Sequence, residues 1–237
     1  MFRLFSLCIL FALACTARAD EAAIRKALSG KLGSVTIDKV NPTAYPGVFE
    51  LVLSDRNIAY TNEAGSMLLV GHLIDVGSGK NLTLAHQRKL TAIRFDSLPL
   101  ELAIKTVHGS GARKLAVFSD PLCPFCKRQE KELAKLPNVT IYTFLNPFET
   151  RHPGATQRAR AVWCAPDRAA AWREFMLRGT LPAEPGEACK DPIARVVELG
   201  DRLGLVDAPT LVLADGSVLR GATTVADIEK LFASPLQ

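Results

Sequence analysis

A single Cys-Pro-Phe-Cys motif, residues 123–126, lies between a strand-like run and a helix-like run. Residues 115–119 form a short apolar run, long enough for a buried strand. Residues 127–136 are rich in helix-forming side chains. The pattern predicts that Cys123 lies at the N-terminus of a helix, with Pro124 at the first helical position, where its missing N–H group costs nothing.

Two thiols at this spacing bind zinc or cycle between dithiol and disulfide. A structural zinc site needs two further ligands at short spacing, and the sequence has no second close cysteine pair. The free N–H groups and the dipole of a helix N-terminus stabilise a thiolate, and Lys127 and Arg128 add positive charge. We therefore predict that Cys123 and Cys126 are the catalytic pair of a redox site that uses no metal and no other cofactor.

The N-terminus has the three parts of a cleavable signal peptide. Arg3 supplies the positive charge, and residues 4–14 form an apolar stretch too short to span a bilayer. Ala17-Arg18-Ala19 has the small-x-small cleavage pattern, which predicts export and cleavage after Ala19. A buried N-terminal helix and lipidation at Cys15 are the alternatives.

Cleavage would leave 218 of the 237 residues, enough for one large domain or two small ones. It would remove Arg3 and Arg18, so the formal net charge would fall from +5 to +3. The remaining chain has no charge run and no basic-aromatic stripe. Nucleic acid is therefore not an expected partner.

Four cysteines would remain after cleavage: Cys123, Cys126, Cys164 and Cys189. An even number in an oxidising compartment suggests two pairs. A Cys164–Cys189 bond would close a loop of 26 residues and stabilise the fold by about 3 kcal/mol. The alternatives are two separate buried thiols, or a four-cysteine zinc site that the wide spacing disfavours.

The N-terminal third of the chain has the pattern of a small domain, residues 20–80. A helix-like run at 21–32 precedes strand-like runs that turn signals separate. The segment has few large apolar residues, so it would gain stability by pairing with a second copy. The alternative is that it packs on the rest of its own chain. Helix-like runs at 82–95 and 100–107 predict a helical linker, residues 81–108.

The remainder, residues 109–237, alternates strand-like and helix-like runs around the cysteine motif. The motif helix is followed by a strand at 139–144, helices within 155–204, a strand that begins at Ala208-Pro209, and a final helix at 226–232. This order of strands and helices is similar to that of the thioredoxin superfamily. The resemblance implies that Pro209 is cis and faces the cysteine pair, and that Ala208 and Pro209, with Pro124 and Phe125, bind a substrate strand.

Further motifs resemble the periplasmic disulfide isomerases of the DsbC/DsbG type. They are residues 119–128, residues 163–167 with Cys189, and residues 60–65 and 75–79. This resemblance implies a mixed α+β and α/β protein: a cystatin-like N-terminal dimerisation domain, a linker helix, and a thioredoxin-like domain with a helical insertion. It implies a periplasmic homodimer that isomerises misoxidised or unfolded secreted proteins and is kept reduced by a membrane thiol reductase of the DsbD type.

The dipeptide between the cysteines departs from that family. It is Pro124-Phe125 here, whereas the best-known isomerases carry Gly-Tyr. Because the dipeptide helps to set the thiolate pKa and the reduction potential, isomerase, reductase and oxidase behaviour stay open. Two other functions also stay open: a DsbG-like reductase that protects single cysteines, and a dimeric chaperone with secondary redox activity.

The sequence does not indicate a base for the cysteine pair. Val117 occupies the position of the buried acid of thioredoxin. Asp120 is expected to form a turn with Pro121. His108 and His152 have no motif that links them to the cysteines, so both are expected to be surface residues.

Overall fold

The computed structural model describes residues 21–184, 186 and 188–236. The predicted signal peptide, with its cleavage site at Ala19 and the alternative at Cys15, lies outside these residues. The described chain forms two compact units, which meet in sequence between Leu90 and Thr91.

The first unit is a helix and an antiparallel sheet. Helix α1 covers residues 21–28, and the four-stranded sheet has the order β1-β2-β3-β4. The strands are β1 (Ile37–Pro42), β2 (Val48–Leu53), β3 (Ile58–Asn62) and β4 (Leu69–Val70). Ile24 and Leu28 of α1 pack against Leu51 and Ala59 of the sheet, which gives this unit a small core.

A short hairpin and one helix complete the first unit. The hairpin pairs β5 (Ile74–Asp75) with β6 (Lys80–Asn81), and α2 (Leu82–Leu90) follows at once. The Oδ1 atom of Asn81 accepts the N–H of Leu84 at 2.9 Å and caps the helix. The Tyr60 and Thr83 hydroxyls are hydrogen-bonded, which ties α2 to β3.

The predicted linker helices are partly wrong. The helix expected over 82–95 ends at Leu90. The helix expected over 100–107 is replaced by a single 3₁₀ turn, Leu100–Leu102, and by strand β7 (Ile104–His108). A short run is ambiguous by itself when its apolar residues fit both the 3.6-residue period of a helix and the two-residue period of a strand. Pairing of β7 with a neighbouring strand, residue for residue from Ile104 to His108, decides the outcome.

The second unit is built on a five-stranded mixed sheet of order β11-β10-β8-β9-β7. The central pair, β8 (Arg113–Ser119) and β9 (Val139–Leu145), is parallel, and every other neighbour is antiparallel. The outer hairpin consists of β10 (Thr210–Leu213) and β11 (Val218–Arg220), joined at the predicted Asp215-Gly216 turn. Helix α3 (Pro124–Leu133) follows β8, and α7 (Val225–Ala233) is the last helix of the described chain.

Side chains alternate along the central strand between two buried faces. Leu115 and Val117 pack with Leu133 of α3 and Ile228 of α7. Ala116 and Phe118 face the opposite side, where the Phe118 and Phe144 rings stack 4.6 Å apart. Because both faces of the sheet are covered here, residues 115–118 of β8 are all apolar and fully buried, and they lead into the cysteine motif.

The predicted helical insertion lies between β9 and β10. It consists of α4 (Ala155–Trp163), α5 (Arg168–Arg178) and α6 (Ile193–Arg202). The Asp167 side chain caps α5, and Gly179 ends it in the left-handed conformation, as expected. Cys164 and Cys189 form the predicted disulfide, so the alternative of two separate thiols is wrong.

Candidate active site

Cys123 lies where β8 gives way to α3. Its backbone is extended, with φ −69° and ψ 123°, and it is the N-cap residue of a helix that begins at Pro124. The first N–H groups of a helix have no partner within the helix, so they point at the Cys123 sulfur and favour negative charge there. The predicted placement of Cys123 and Pro124 is confirmed.

Cys123 is the more acidic thiol of the pair. Its pKa is lowered to about 6, chiefly because the Cys126 thiol donates a hydrogen bond to its sulfur. The N–H groups of Cys126 and Phe125 and the nearby His152 lower this pKa further, whereas partial burial opposes them. Such a thiol is largely thiolate at neutral pH and is also a good leaving group.

Cys126 is the less acidic thiol of the pair. Its side chain is fully buried, and its pKa is raised because it donates to Cys123 and because burial disfavours its charge. The Ser119 hydroxyl and the backbone N–H of Asp120, 3.3 Å from the sulfur, oppose that shift. The two thiols are therefore separated into a nucleophile and a buried, protonated partner.

A second backbone segment reaches the cysteine pair. The Ala208–Pro209 peptide bond is cis, as the thioredoxin resemblance implied. The Cys123 thiol donates to the carbonyl oxygen of Ala208 at 3.5 Å. The Phe125 ring is 53% exposed, with the Arg128 guanidinium 5.2 Å from its centre. Of the four residues predicted to bind substrate, Ala208 contacts the Cys123 sulfur, Pro209 follows Ala208 in the chain, and Pro124 and Phe125 follow Cys123.

Asp120 has a larger role than the predicted turn. Its side chain is completely buried, and its Oδ1 atom accepts the N–H groups of Leu122 and Cys123 at 2.7 and 3.1 Å. The first of these bonds makes the turn that was expected. Its Oδ2 atom accepts the N–H of Phe148 at 2.6 Å and lies 3.0 Å from Nδ1 of His152. One carboxylate therefore joins the end of β8 to the loop after β9.

The prediction for His152 is wrong, because its side chain is only 27% exposed and contacts Asp120. The signal that could have found it is topological. The carboxyl ends of parallel strands meet at one sheet edge, and Asp120 and His152 follow the parallel strands β8 and β9. His108 lies elsewhere, with Nδ1 3.1 Å from the Leu136 carbonyl.

The described part of the chain contains no group of three or more His, Cys, Asp and Glu side chains arranged to hold a metal ion. Among the same residues, no helix is long and apolar enough to cross a membrane.

Comparison with known proteins identifies both parts of the chain. Residues 15–84 match the disulfide bond isomerase protein N-terminal domain, and residues 100–234 match a thioredoxin-like domain. The chain is 34% identical over 207 residues to the probable thiol:disulfide interchange protein DsbC of Bordetella parapertussis, covering 87% of this chain and 72% of that protein. The chain belongs to the DsbC family. It is a thiol-disulfide oxidoreductase with a thioredoxin-like fold.

Two further proteins extend the match. The thiol:disulfide interchange protein DsbC of Escherichia coli is 26% identical over 223 residues, covering 93% of this chain and 89% of that protein. The crystal structure of a disulfide interchange protein from Neisseria gonorrhoeae superimposes with a TM-score of 0.55 at 41% identity. It covers 59% of this chain and 99% of that chain.

Proposed function

We propose that this protein reduces and isomerises non-native disulfides in secreted proteins through Cys123 and Cys126. The observation that carries the proposal is the separation of the two thiols in acidity. Both side chains are buried, but the pKa of Cys123 is lowered to about 6, whereas the pKa of Cys126 is raised. In a pair of this kind, the acidic thiol attacks a disulfide at neutral pH, and the second thiol stays protonated until the mixed disulfide has formed.

The first step is attack by the Cys123 thiolate on a substrate disulfide. A bond forms between Cys123 and one substrate sulfur, the substrate S–S bond breaks, and its electron pair leaves on the second substrate sulfur. The substrate backbone would lie along Ala208 and Pro209, where the Ala208 carbonyl already faces the Cys123 sulfur at 3.5 Å. Pro124 and the exposed Phe125 ring would form the opposite wall.

The mixed disulfide then has two fates. In isomerisation, the released substrate thiolate attacks another substrate disulfide, and a final substrate thiolate displaces Cys123 with no net oxidation. In reduction, Cys126 attacks the Cys123 sulfur, the enzyme disulfide forms, and a dithiol substrate departs. The low pKa of Cys123 serves both fates, because it makes Cys123 a good leaving group.

We also propose the compartment in which the protein acts and the protein that regenerates it. The signal-like N-terminus supports export to the periplasm with cleavage after Ala19. Reduction leaves the enzyme oxidised, so a membrane thiol reductase of the DsbD type would have to regenerate it.

Residues 20–80 would form the dimerisation domain. In this unit, four consecutive apolar residues around the short edge strand β4 are exposed: Met67, Leu68, Leu69 and Val70. A homodimer through this edge would cover them.

The test is reactivation of scrambled, multiply disulfide-bonded ribonuclease by the purified mature protein in a glutathione buffer. Cys123→Ser is the negative variant, and Cys126→Ser separates isomerisation from reduction. We expect rapid, Cys123-dependent recovery that Cys126→Ser retains in part. No recovery, with the cysteine pair still cycling under reductant, would instead favour a DsbG-like reductase of single cysteines. Suppression of aggregation that survives Cys123→Ser without any reactivation would favour a chaperone.

A further inference from the structure

Two positive side chains follow the cysteine motif on α3. The first turn of this helix contains no acidic residue. Lys127 Nζ lies 5.4 Å from the centre of the Phe175 ring. The Arg128 guanidinium lies 5.2 Å from the centre of the exposed Phe125 ring, and neither cation has an ion-pair partner among the described residues. Because a ring face attracts a cation without neutralising it, both charges remain available to a bound anion.

A third cation lies beside the segment that faces the Cys123 sulfur. Nη1 of Arg151 is 4.0 Å from Oδ1 of Asp207, the residue before Ala208. The Ala208 carbonyl oxygen is in turn 3.5 Å from the Cys123 sulfur. Both side chains of the ion pair are more than half exposed, and a pair this long and this exposed contributes little to stability. Arg151 can therefore exchange Asp207 for a carboxylate of a bound chain.

Three other acidic side chains on these elements are directed elsewhere. The oxygens of Asp120 accept three backbone N–H groups and contact His152. Glu149 accepts two backbone N–H groups where α4 begins. Glu130, the next acid along α3, is held in its neutral form to higher pH, because burial raises its pKa to about 7. A substrate bound at Cys123 therefore meets mainly positive charge.

We propose that the Cys123 site selects disulfides whose cysteines have acidic neighbours in the substrate chain, an inference that rests on the proposed function. The rise of a helix places the backbone of Arg128 about 7 Å along α3 from Cys123. An extended substrate advances about 3.3 Å per residue. Carboxylates within about three residues of the substrate cysteine can thus reach the cations of α3 on one side and Arg151 on the other.

The three cations have a different role from the groups that make Cys123 acidic. The pKa of Cys123 is lowered by Cys126, by the N–H groups of Cys126 and Phe125, and by His152. A thiolate repels an approaching carboxylate, and cations placed beside the substrate chain offset this repulsion. Loss of Arg128 or Arg151 should therefore change the choice between substrates more than it changes the thiol.

Two matched peptides measure this choice. Each has one cysteine in a mixed disulfide with 2-thiopyridine, and the cysteine is flanked by glutamates in one peptide and by glutamines in the other. The Cys123 thiolate bonds to the peptide sulfur, and the bond between the peptide and pyridine sulfurs breaks. The electron pair leaves on the thiopyridine, which takes up a proton from water and is followed by its absorbance. Because the same thiolate attacks both peptides, the ratio of the two rates is independent of the thiolate fraction.

We expect the acidic peptide to react about 10-fold faster at low ionic strength. This ratio should fall toward one at about 1 M salt, where the Debye length is about 3 Å. Arg128→Gln and Arg151→Gln should each lower the ratio about 3-fold, as one charge at about 6 Å in water would. Arg128→Glu should lower it further and should accelerate a third peptide whose cysteine is flanked by lysines.

Lys230→Gln is the control for the loss of a positive charge. Lys230 is an exposed residue of α7 that pairs with Asp227 at 3.0 Å, and its replacement should leave the ratio unchanged. The mixed disulfide of glutathione with 2-thiopyridine separates a preference for acidic chains from a preference for glutathione. We expect glutathione to gain less from Arg128 and Arg151 than the acidic peptide does.

Equal rates for the acidic and neutral peptides at low salt would overturn this inference. An equal fall of the ratio in Lys230→Gln and Arg128→Gln would also overturn it, as would a charge-dependent advantage for glutathione but not for the acidic peptide. Ribonuclease reactivation that depends on Cys123 would in each case leave the proposed function standing. Failure of the parent protein to react with any of these disulfides would remove both.

Discussion

The Nδ1 atom of His152 lies 3.0 Å from Oδ2 of Asp120, and the other oxygen of that carboxylate accepts the backbone N–H of Cys123. His152 is thereby held near the cysteine pair by a fully buried side chain. Its proximity lowers the pKa of Cys123 electrostatically, although less than the hydrogen bond from Cys126 does. A residue 29 positions beyond Cys123 in the sequence thus contributes to the reactivity of the thiol.

Replacement of His152 should raise the pKa of Cys123. In His152→Gln the amide keeps a polar contact with Asp120 but carries no positive charge, so the thiolate loses part of its stabilisation. The pKa would be read from the pH dependence of Cys123 alkylation, since the buried, less acidic Cys126 does not compete. His108→Gln is the matched control and should leave the profile at its parent position. Equal shifts in the two variants would show that His152 has no specific effect.

Asp120→Asn should destabilise the folded protein. The asparagine side chain has one acceptor oxygen, whereas the carboxylate serves three backbone N–H groups and His152. At least one buried N–H group would lose its partner, at a cost of about 1–3 kcal/mol in the free energy of unfolding. Urea unfolding would measure this loss.

The control for Asp120→Asn is Asp55→Asn. Asp55 also accepts a backbone N–H two residues ahead, but it lies in an exposed turn. We expect its loss of stability to stay within about 0.5 kcal/mol. If the two variants lost the same stability, the burial of Asp120 would not be the cause.

Local sequence patterns predicted the structure correctly where the preferences of one or two residues determine the backbone. The start of α3 at Pro124, the end of α5 at Gly179 and the turn at Asp215-Gly216 each depend on the backbone preferences of one or two residues. The cis bond before Pro209 followed from the thioredoxin resemblance, because an isolated proline would read as an ordinary start of a strand.

Long-range contacts account for what the sequence did not predict. Residues 104–108 became a strand because they pair with β9, which is more than 30 residues away in the chain. The carboxyl of Glu130 belongs by sequence to an ordinary charged helix surface. Only the packing of α5 and β7 around it buries its Oε1 atom. His152 was missed for the same reason, since its partner Asp120 comes from another strand end.

The Cys164–Cys189 bond should be structural and not part of the chemistry. Replacing both cysteines by serine opens the loop they close and should lower the free energy of unfolding by about 3 kcal/mol. Alkylation of Cys123 in the folded double variant should keep its parent rate and pH profile, because the Cys123 pKa is set by Cys126, by burial, by the N–H groups of Cys126 and Phe125 and by His152. Urea unfolding and alkylation kinetics on the same preparation would test both statements. A large fall in the alkylation rate per folded molecule would assign this disulfide a role at the site.

Glu130 should make the protein less stable as pH rises. Its folded pKa, about 7, lies above the value of about 4.3 expected in the unfolded chain. Below the unfolded value the carboxyl is neutral in both states, and its burial costs little. Between the two values the unfolded chain releases the proton that the folded protein retains, so stability falls until the pH passes the folded pKa.

The unfolding free energies of Glu130→Gln and the parent should therefore diverge between about pH 4 and pH 7, with the variant gaining relative stability at the higher pH. Taking the difference at each pH cancels the titration of Cys123, which both proteins share. His108 and Arg173, the charged or titratable residues that line the same small cavity as Glu130, are also unchanged between them. Glu198→Gln removes an exposed carboxylate of α6 and should run parallel to the parent. A constant difference between Glu130→Gln and the parent across this range would mean that the Glu130 carboxyl titrates as it would in water.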